Sequence, residues 1–257
     1  TGMGIFRFDR AGHIAAFEEK PSAARLQEIG RGAPSGPGAG RTSADKPFMA
    51  SMGIYVFSRD VLLDLIHSTP GIDFGKELIP AALGTHKVRA YFYRGFWADV
   101  GTVRAFYDVN LALTARPAPF SFFDPRRPIY THARFLPGTR ADQCRIDRSI
   151  IAEGCDLDAC TIEESIVGIR MPVRPGARIR RSVLLGADFY EDGGAEIPLG
   201  IGRDVELDGV IVDKNARIAD GVRLINDGRT DDADGDGYYI RGGVIVVPKG
   251  AIVTRGM

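Results

Sequence analysis

Ile146-Asp147-Arg148-Ser149-Ile150-Ile151 (IDRSII) recurs as Ile162–Val167 (IEESIV), as Ile179–Leu184 (IRRSVL) and as Leu207–Val212 (LDGVIV). The first three copies stand 16 and 17 residues apart, and the fourth follows an inserted stretch, Ala187 to Pro198. Small turn elements accompany them: Glu153-Gly154, Pro175-Gly176, Ile201-Gly202 and Asp220-Gly221. Short β-branched strands at this period, three to a coil of roughly 18 residues, are the signature of a parallel β-helix of hexapeptide type. One coil alone leaves an apolar face bare, and stacking buries it. Residues 141–257 are therefore expected to form such a domain.

Upstream the rhythm differs. Ile5–Phe8, a turn at Asp9-Arg10-Ala11-Gly12, and His13–Glu18 predict a hairpin. Ser22 is the expected N-cap of a short helix to Ile29, and Gly30 to Pro47 is a Gly/Pro/Ser-rich loop. That loop fails as a phosphate-binding P-loop: the first required glycine falls on Ser35, the lysine is Arg41, and no strand leads in. Met52–Phe57 (MGIYVF) reads as a buried strand, Ser58 to Ile66 as a helix, and Val88–Tyr93 as another strand. Thr102 or a neighbour caps a helix whose apolar face runs through Phe106, Val109 and Leu113. Alternating strands and helices predict an α/β layer domain over residues 1–114. Residues 115–140, with five prolines between Ala115 and Gly138, form an extended linker. Its Phe120, Phe122, Phe123 and Tyr130 are expected to lie against something rather than in water.

Bulk properties narrow the classes. The 257 residues are 44% apolar and 26% charged, as in a folded protein, and 33 basic residues balance 33 acidic ones. Zero net charge gives no bulk reason to expect nucleic-acid or membrane binding. No apolar run reaches membrane-spanning length, and no signal peptide is visible. Cys144, Cys155 and Cys160 form no C-x-x-C pair, which favours free thiols in a reducing cytoplasm. The four histidines, His13, His67, His86 and His132, all lie outside the coils. That argues against the histidine-dependent acyl transfer common in hexapeptide β-helices. Asp232-x-Asp234-x-Asp236-Gly237 begins like a calcium loop, but its twelfth position is Gly243, so a solvated insertion is expected. Read without further context, Glu19-Lys20-Pro21 is an exposed charged turn, and Asp99, before Val100-Gly101, a cap or turn residue.

Taken together, FEEKP (Phe17–Pro21), ASMGIYVF (Ala50–Phe57), DFGKELIP (Asp73–Pro80), WADVGT with AFYDVN (Trp97–Asn110), PIYTHARFLP (Pro128–Pro137), SIVGIR (Ser165–Arg170) and LLGADFYE (Leu184–Glu191) resemble the glucose-1-phosphate adenylyltransferases (ADP-glucose pyrophosphorylases) in order along nearly the whole chain. The resemblance implies the C-terminal part of a Rossmann-like nucleotidyltransferase domain, followed by a left-handed β-helix with regulatory and oligomer-forming roles. The family's Gly-rich nucleotide loop and a second metal-binding aspartate have no counterpart here. The chain also begins at Thr1 without methionine, so this portion alone is expected not to turn over.

Carried over residue by residue, Lys20 matches the lysine that grips the phosphate of glucose 1-phosphate. Glu19 matches the carboxylate on the sugar hydroxyls, Ser51 a sugar-contacting serine, and Asp99 an aspartate that holds Mg²⁺ between ATP and glucose 1-phosphate. Arg134, Lys214 and Lys249 match positions that bind a phosphorylated metabolite effector, with Arg170 a further candidate. A glutamine of the family near Arg134 is His132 here. Asp73 and Lys76 receive no role beyond shaping the pocket. The resemblance further implies a cytoplasmic homotetramer. Two other readings stay open: a non-catalytic regulatory or scaffolding subunit of the same fold, and a pyrophosphorylase for another nucleotide or sugar.

Overall fold

A computed structural model describes residues 2–9, 13–29, 47–71, 73–227 and 229–255. The expected turn at 10–12 and the Gly/Pro-rich loop at 30–46 lie outside these residues. By internal contacts the chain divides into Thr1–Trp97 and Ala98–Met257, and each unit is described by itself.

In the first unit β1 (Ile5–Phe8) pairs antiparallel with β2 (Ile14–Glu18), as the hairpin reading predicts. Ser22 caps α1 (Ala23–Ile29) by accepting the Arg25 N–H at 3.2 Å. The other edge of β1 takes only β3 (Met49–Ala50). Met52–Phe57 is therefore not the buried strand its composition suggests; Val56 is 96% exposed. A local alternative competes with the ladder there: Gly53 sits at φ +71°, and Ser51 Oγ accepts its N–H at 3.1 Å. Val88–Tyr93 likewise pairs with no strand among the described residues, and Tyr91 is 89% exposed. Helices fare better than strands here. Helix α2 spans Arg59–Ser68, and a π-helical turn, Phe74–Leu78, runs into α3 (Ile79–Thr85), burying Leu65, Leu78, Ile79 and Ala82.

In the second unit the repeat becomes three stacked ladders. Arg140–Asp142, Asp156–Asp158, Pro172–Val173, Gly200–Ile201, Arg217–Ile218 and Ile252–Val253 form one, each strand parallel to the next. A second runs from Arg145–Asp147 to Arg223–Ile225, and a third from Ile150–Ile151 to Val244–Val247. Register is strict: Ile146 faces Ile162, Ile162 faces Ile179, Ile179 faces Leu207, and Leu207 faces Leu224. Leu224 extends the column one coil beyond the four copies read from sequence. From Ile162 to Leu224 these side chains are buried, each contributing about 1.5–3 kcal/mol by leaving water.

The corner after the second-ladder strand holds a left-handed residue in four successive coils, Arg148, Glu164, Arg181 and Gly209, with φ of 43°, 49°, 42° and 73°. For a residue with a Cβ that conformation costs about 1–2 kcal/mol. A serine ladder beside it fixes the corner. Ser165 and Ser182 are fully buried; Ser182 N–H donates to Ser165 Oγ at 3.1 Å, and Val210 N–H to Ser182 Oγ at 3.2 Å. Each hydroxyl in turn donates to its own coil's carbonyl at 2.7 Å, Glu163 O and Arg180 O. The insertion at 227–236 returns as a short antiparallel pair, Ala233–Asp234 with Tyr239–Arg241. Its Asp234 pairs with Arg241 and Asp232 accepts the Gly242 N–H, so these carboxylates serve the loop itself.

Helix α4 (Val103–Ala112) belongs to this unit, capped by Thr102 Oγ1 accepting the Ala105 N–H at 3.1 Å. The sequence reading groups it with residues 1–114; in the structure it packs on the β-helix. Its most buried side chain is Tyr107, outside the expected Phe106–Val109–Leu113 face. Tyr107 rests on Val183, Ile211 and Val244, and its hydroxyl donates to Arg181 O at 2.5 Å. Burial pushes that hydroxyl up to about 12. An unfolded tyrosine titrates near pH 10. The stability from keeping it neutral is thus complete below about pH 10 and lost as pH rises through about 12. Tyr107→Phe is expected to lower the unfolding free energy by about 1 kcal/mol at neutral pH and to weaken this alkaline loss, read by urea titration at pH 7 and 11.

The linker breaks its expectation. The Phe120 and Phe122 rings contact each other at a tilt, with 4.6 Å between centroids, but Phe122, Phe123 and Tyr130 are exposed, Tyr130 at 91%. The prolines keep this stretch out of the ladders, and among the described residues little covers it.

Candidate active site and anion-binding cluster

The start of β1 gathers three of the candidate residues. Lys20 N–H donates to Met3 O at 3.2 Å, and Ser51 N–H to Gly4 O at 2.7 Å, so the ends of β2 and β3 are pinned to adjacent residues. Lys20 is exposed and sits at φ +47°, a left-handed conformation that turns the chain into Pro21. A strained non-glycine residue of this kind needs support from its surroundings.

Glu19 lies half-buried in a slot made by two glycines. A Cβ on Gly4 would stand 2.6 Å from Glu19 Oε2, and one on Gly75 would stand 2.8 Å from the same atom. Both positions must lack a side chain for the carboxylate to lie where it does. Ser51 Oγ reaches Tyr55 Oη at 2.8 Å, which fixes its rotamer.

Asp73, left without a role by sequence, caps the turn behind this cluster. Its Oδ1 accepts the Lys76 N–H, and its own N–H donates to Glu77 Oε2, both at 2.9 Å. The Lys76 backbone N–H holds the Asp73 carboxyl below the usual range, with a smaller pull from the Lys20 ammonium. That link brings Asp73 into the electrostatic surroundings of Lys20. No sequence spacing relates residues 4, 19, 51, 73 and 75; the pairing of β1 with two strands joins the first three, and α3, which continues the 74–78 turn, packs on β2 and brings the last two.

Asp99 belongs to the second unit, at the entrance to α4. It is exposed, and its Oδ1 accepts the Gly101 N–H at 3.1 Å in a tight Asx turn. The turn residue expected from spacing is thus present, and the carboxylate remains open to solvent. No three His, Cys, Asp or Glu side chains converge among the described residues. An Mg²⁺ ion here would rest on a single carboxylate from these residues, with substrate phosphates and water completing its shell, a pattern usual for that ion.

On the β-helix, Lys214 and Lys249 meet at one acidic residue. Lys214 Nζ lies 2.8 Å from Asp188 Oδ1, and Lys249 Nζ lies 2.7 Å from Asp188 Oδ2. Arg170 reaches the adjoining residue, donating to Ala187 O at 3.2 Å, with its guanidinium 5.7 Å from the Tyr190 ring centroid. Arg134 instead turns back on its own segment, donating to His132 O at 3.2 Å. Within LLGADFYE nothing in the sequence marks Asp188 as the partner of lysines 26 and 61 residues away.

Two family models account for most of the chain. Residues 1–116 match the nucleotidyl transferase model, and residues 134–257 match that of the GLGC left-handed parallel β-helix domain. The chain is therefore a nucleotidyl transferase domain followed by a left-handed β-helix domain of that type. No helix among the described residues is long and apolar enough to cross a membrane.

Proposed function

We propose that this nucleotidyl transferase with its β-helix domain is a glucose-1-phosphate adenylyltransferase, forming ADP-glucose and pyrophosphate from ATP and glucose 1-phosphate. The observation that carries the reading is the cluster at the start of β1: residues bearing an ammonium, a carboxylate and a hydroxyl just past the ends of the two strands that flank β1, with two glycines clearing the space around the carboxylate. A hexose phosphate needs that set, one cation for its phosphate and acceptors for its hydroxyls.

In the reaction, a phosphate oxygen of glucose 1-phosphate attacks the α-phosphorus of ATP. The new P–O bond forms as the bond to the β-phosphate oxygen breaks, and pyrophosphate leaves. Such chemistry asks the protein mainly for positioning and charge neutralisation. Lys20 balances the attacking phosphate, Glu19 accepts hydrogen bonds from sugar hydroxyls, and Ser51 Oγ, held by Tyr55, lines the sugar. Asp99 would hold Mg²⁺, which when bound neutralises charge on the phosphates. Lys214, Lys249, Arg170 and Arg134 are read as cations for a phosphorylated effector, in a cytoplasmic homotetramer.

The test is a panel of five nucleoside triphosphates (ATP, CTP, GTP, UTP, dTTP) against glucose, mannose and N-acetylglucosamine 1-phosphates, using the full-length enzyme. ADP-glucose as the dominant product is expected. A different dominant product would assign another specificity, and no turnover with any pair would favour the non-catalytic subunit. Lys20→Ala is expected to raise the KM for glucose 1-phosphate about 10–100-fold, the worth of one charge-assisted hydrogen bond, with a smaller change in kcat. An unchanged KM would remove Lys20 from the sugar-phosphate site.

A further inference from the structure

The junction of Asp188 with the two lysines is a complete anion site, filled by the protein's own side chain. Lys214 Nζ and Lys249 Nζ approach one carboxylate oxygen each, at 2.8 and 2.7 Å, and Asn215 Nδ2 donates to Oδ2 at 3.1 Å. Asp188 N–H closes the arrangement by donating to Asn215 Oδ1 at 2.7 Å. The three donors come from two coils, while the carboxylate comes from the start of the 187–198 insertion. Lys214, then Lys249, then Asn215 hold the Asp188 carboxyl well below the usual range, so it is anionic throughout physiological pH.

The insertion is fastened at its other end as well. Glu191 accepts the Leu199 N–H at 2.8 Å and pairs with Arg217 at 2.5 Å. Asp188 is thus a tethered anion on a looped segment, docked where two ammonium groups and an amide point.

We infer that Asp188 is a built-in competitor for this site: its carboxylate occupies the position between Lys214 and Lys249 that the phosphate group of an effector takes, and binding the effector frees the start of the insertion. The inference rests on the reading that these lysines bind the effector. A tether holds its carboxylate at an effective concentration of order mM. The pair is solvent-accessible and screened, so the docked state is only modestly favoured and an external phosphate dianion can replace a carboxylate monoanion. Displacement leaves Asp188 without its lysines, which couples occupancy of the site to the conformation of residues 187–198.

The test is calorimetric titration of the protein with inorganic phosphate, at constant ionic strength set by chloride, for wild type, Asp188→Asn and a Lys214→Ala/Lys249→Ala double variant. Asp188→Asn keeps the side chain's size and the backbone contact to Asn215 while removing the competing charge. It is expected to bind phosphate about tenfold more tightly, and the double variant to lose binding. If Asp188→Asn binds no tighter while the double variant loses binding, the lysines are the effector site and Asp188 is not its competitor. If the double variant binds like wild type, the lysine reading itself fails.

Hydrogen exchange supplies a second measurement that does not depend on a variant folding normally. Phosphate should speed exchange across 187–198 in the wild-type protein. Unchanged or slowed exchange there, with phosphate bound, overturns the inference.

Discussion

Asp99→Asn in the full-length enzyme is expected to lower kcat for ADP-glucose formation by about 10³-fold while leaving the thermal unfolding curve in place. The fold half of this expectation follows from the Asx turn. An asparagine oxygen can accept the Gly101 N–H as the aspartate does at 3.1 Å, and the side chain is exposed, so no buried contact is lost. Helix α4 begins three residues beyond Gly101's neighbour Val100 and keeps its own cap at Thr102. The activity half follows from charge. A carboxylate that holds a divalent cation against phosphates contributes several kcal/mol to the transition state, and about 4 kcal/mol corresponds to a factor near 10³. The variant should also need more Mg²⁺ for half-maximal rate, a shift that a mere turn residue would not produce. Activity within tenfold of wild type, with an unchanged Mg²⁺ requirement, would return Asp99 to the role its spacing alone suggests.

What the sequence discloses differs sharply between the two units. The coils are legible because their stacking is periodic: one column position, occupied by Ile146, Ile162, Ile179 and Leu207, repeats its chemistry each time it repeats its environment. The left-handed corners are not legible, because three of them are charged residues, Arg148, Glu164 and Arg181, where glycine would have announced the turn. Their conformation is imposed by the coils above and below, through hydrogen bonds such as those of Ser165 and Ser182. In the first unit, Met52–Phe57 and Val88–Tyr93 have the composition of strands, yet strand formation requires a partner, and a partner is a non-local fact. The burial of Tyr107 is not legible for the same reason, since its carbonyl acceptor lies 74 residues away.

The candidate sites follow this rule too. Glu19 and Lys20 read by themselves as a charged turn, and only the resemblance of many colinear motifs gave them roles. What the structure adds is the company they keep: Gly4 and Gly75 around the Glu19 carboxylate, Ser51 pinned to Gly4 just past the end of β3, and the Asp73 cap within reach of the Lys20 charge. Strand pairing, and the packing on β2 of the helix that continues the 74–78 turn, make these neighbours of residues that sequence holds dozens of positions apart. Asp188 is the analogous case on the β-helix. The two lysines it binds sit on coils whose stacking, not spacing, aligns them.

Ile179→Ala is expected to destabilise the β-helix by about 3–4 kcal/mol, the largest stability effect we expect from a single side chain. Ile179 is fully buried and lies in register between Ile162 below and Leu207 above. Truncation removes three carbon atoms from a packed column, and the neighbours cannot close the gap, because each is held by its own coil's ladder bonds. In a stacked solenoid, stability is close to a sum of coil terms and nearest-neighbour interfaces. One truncation here weakens two interfaces at once. Hydrogen-exchange protection should therefore fall at Ile162–Glu163 and at Leu207–Asp208, with residues 2–71 unaffected. The matching change Ile146→Ala provides the control. Ile146 holds the same repeat position in the first coil but is 42% exposed and has a partner on one side only, so its truncation should cost about 1 kcal/mol or less. Equal losses from the two variants, measured by urea unfolding, would show that the residue type and not the buried column sets the stability.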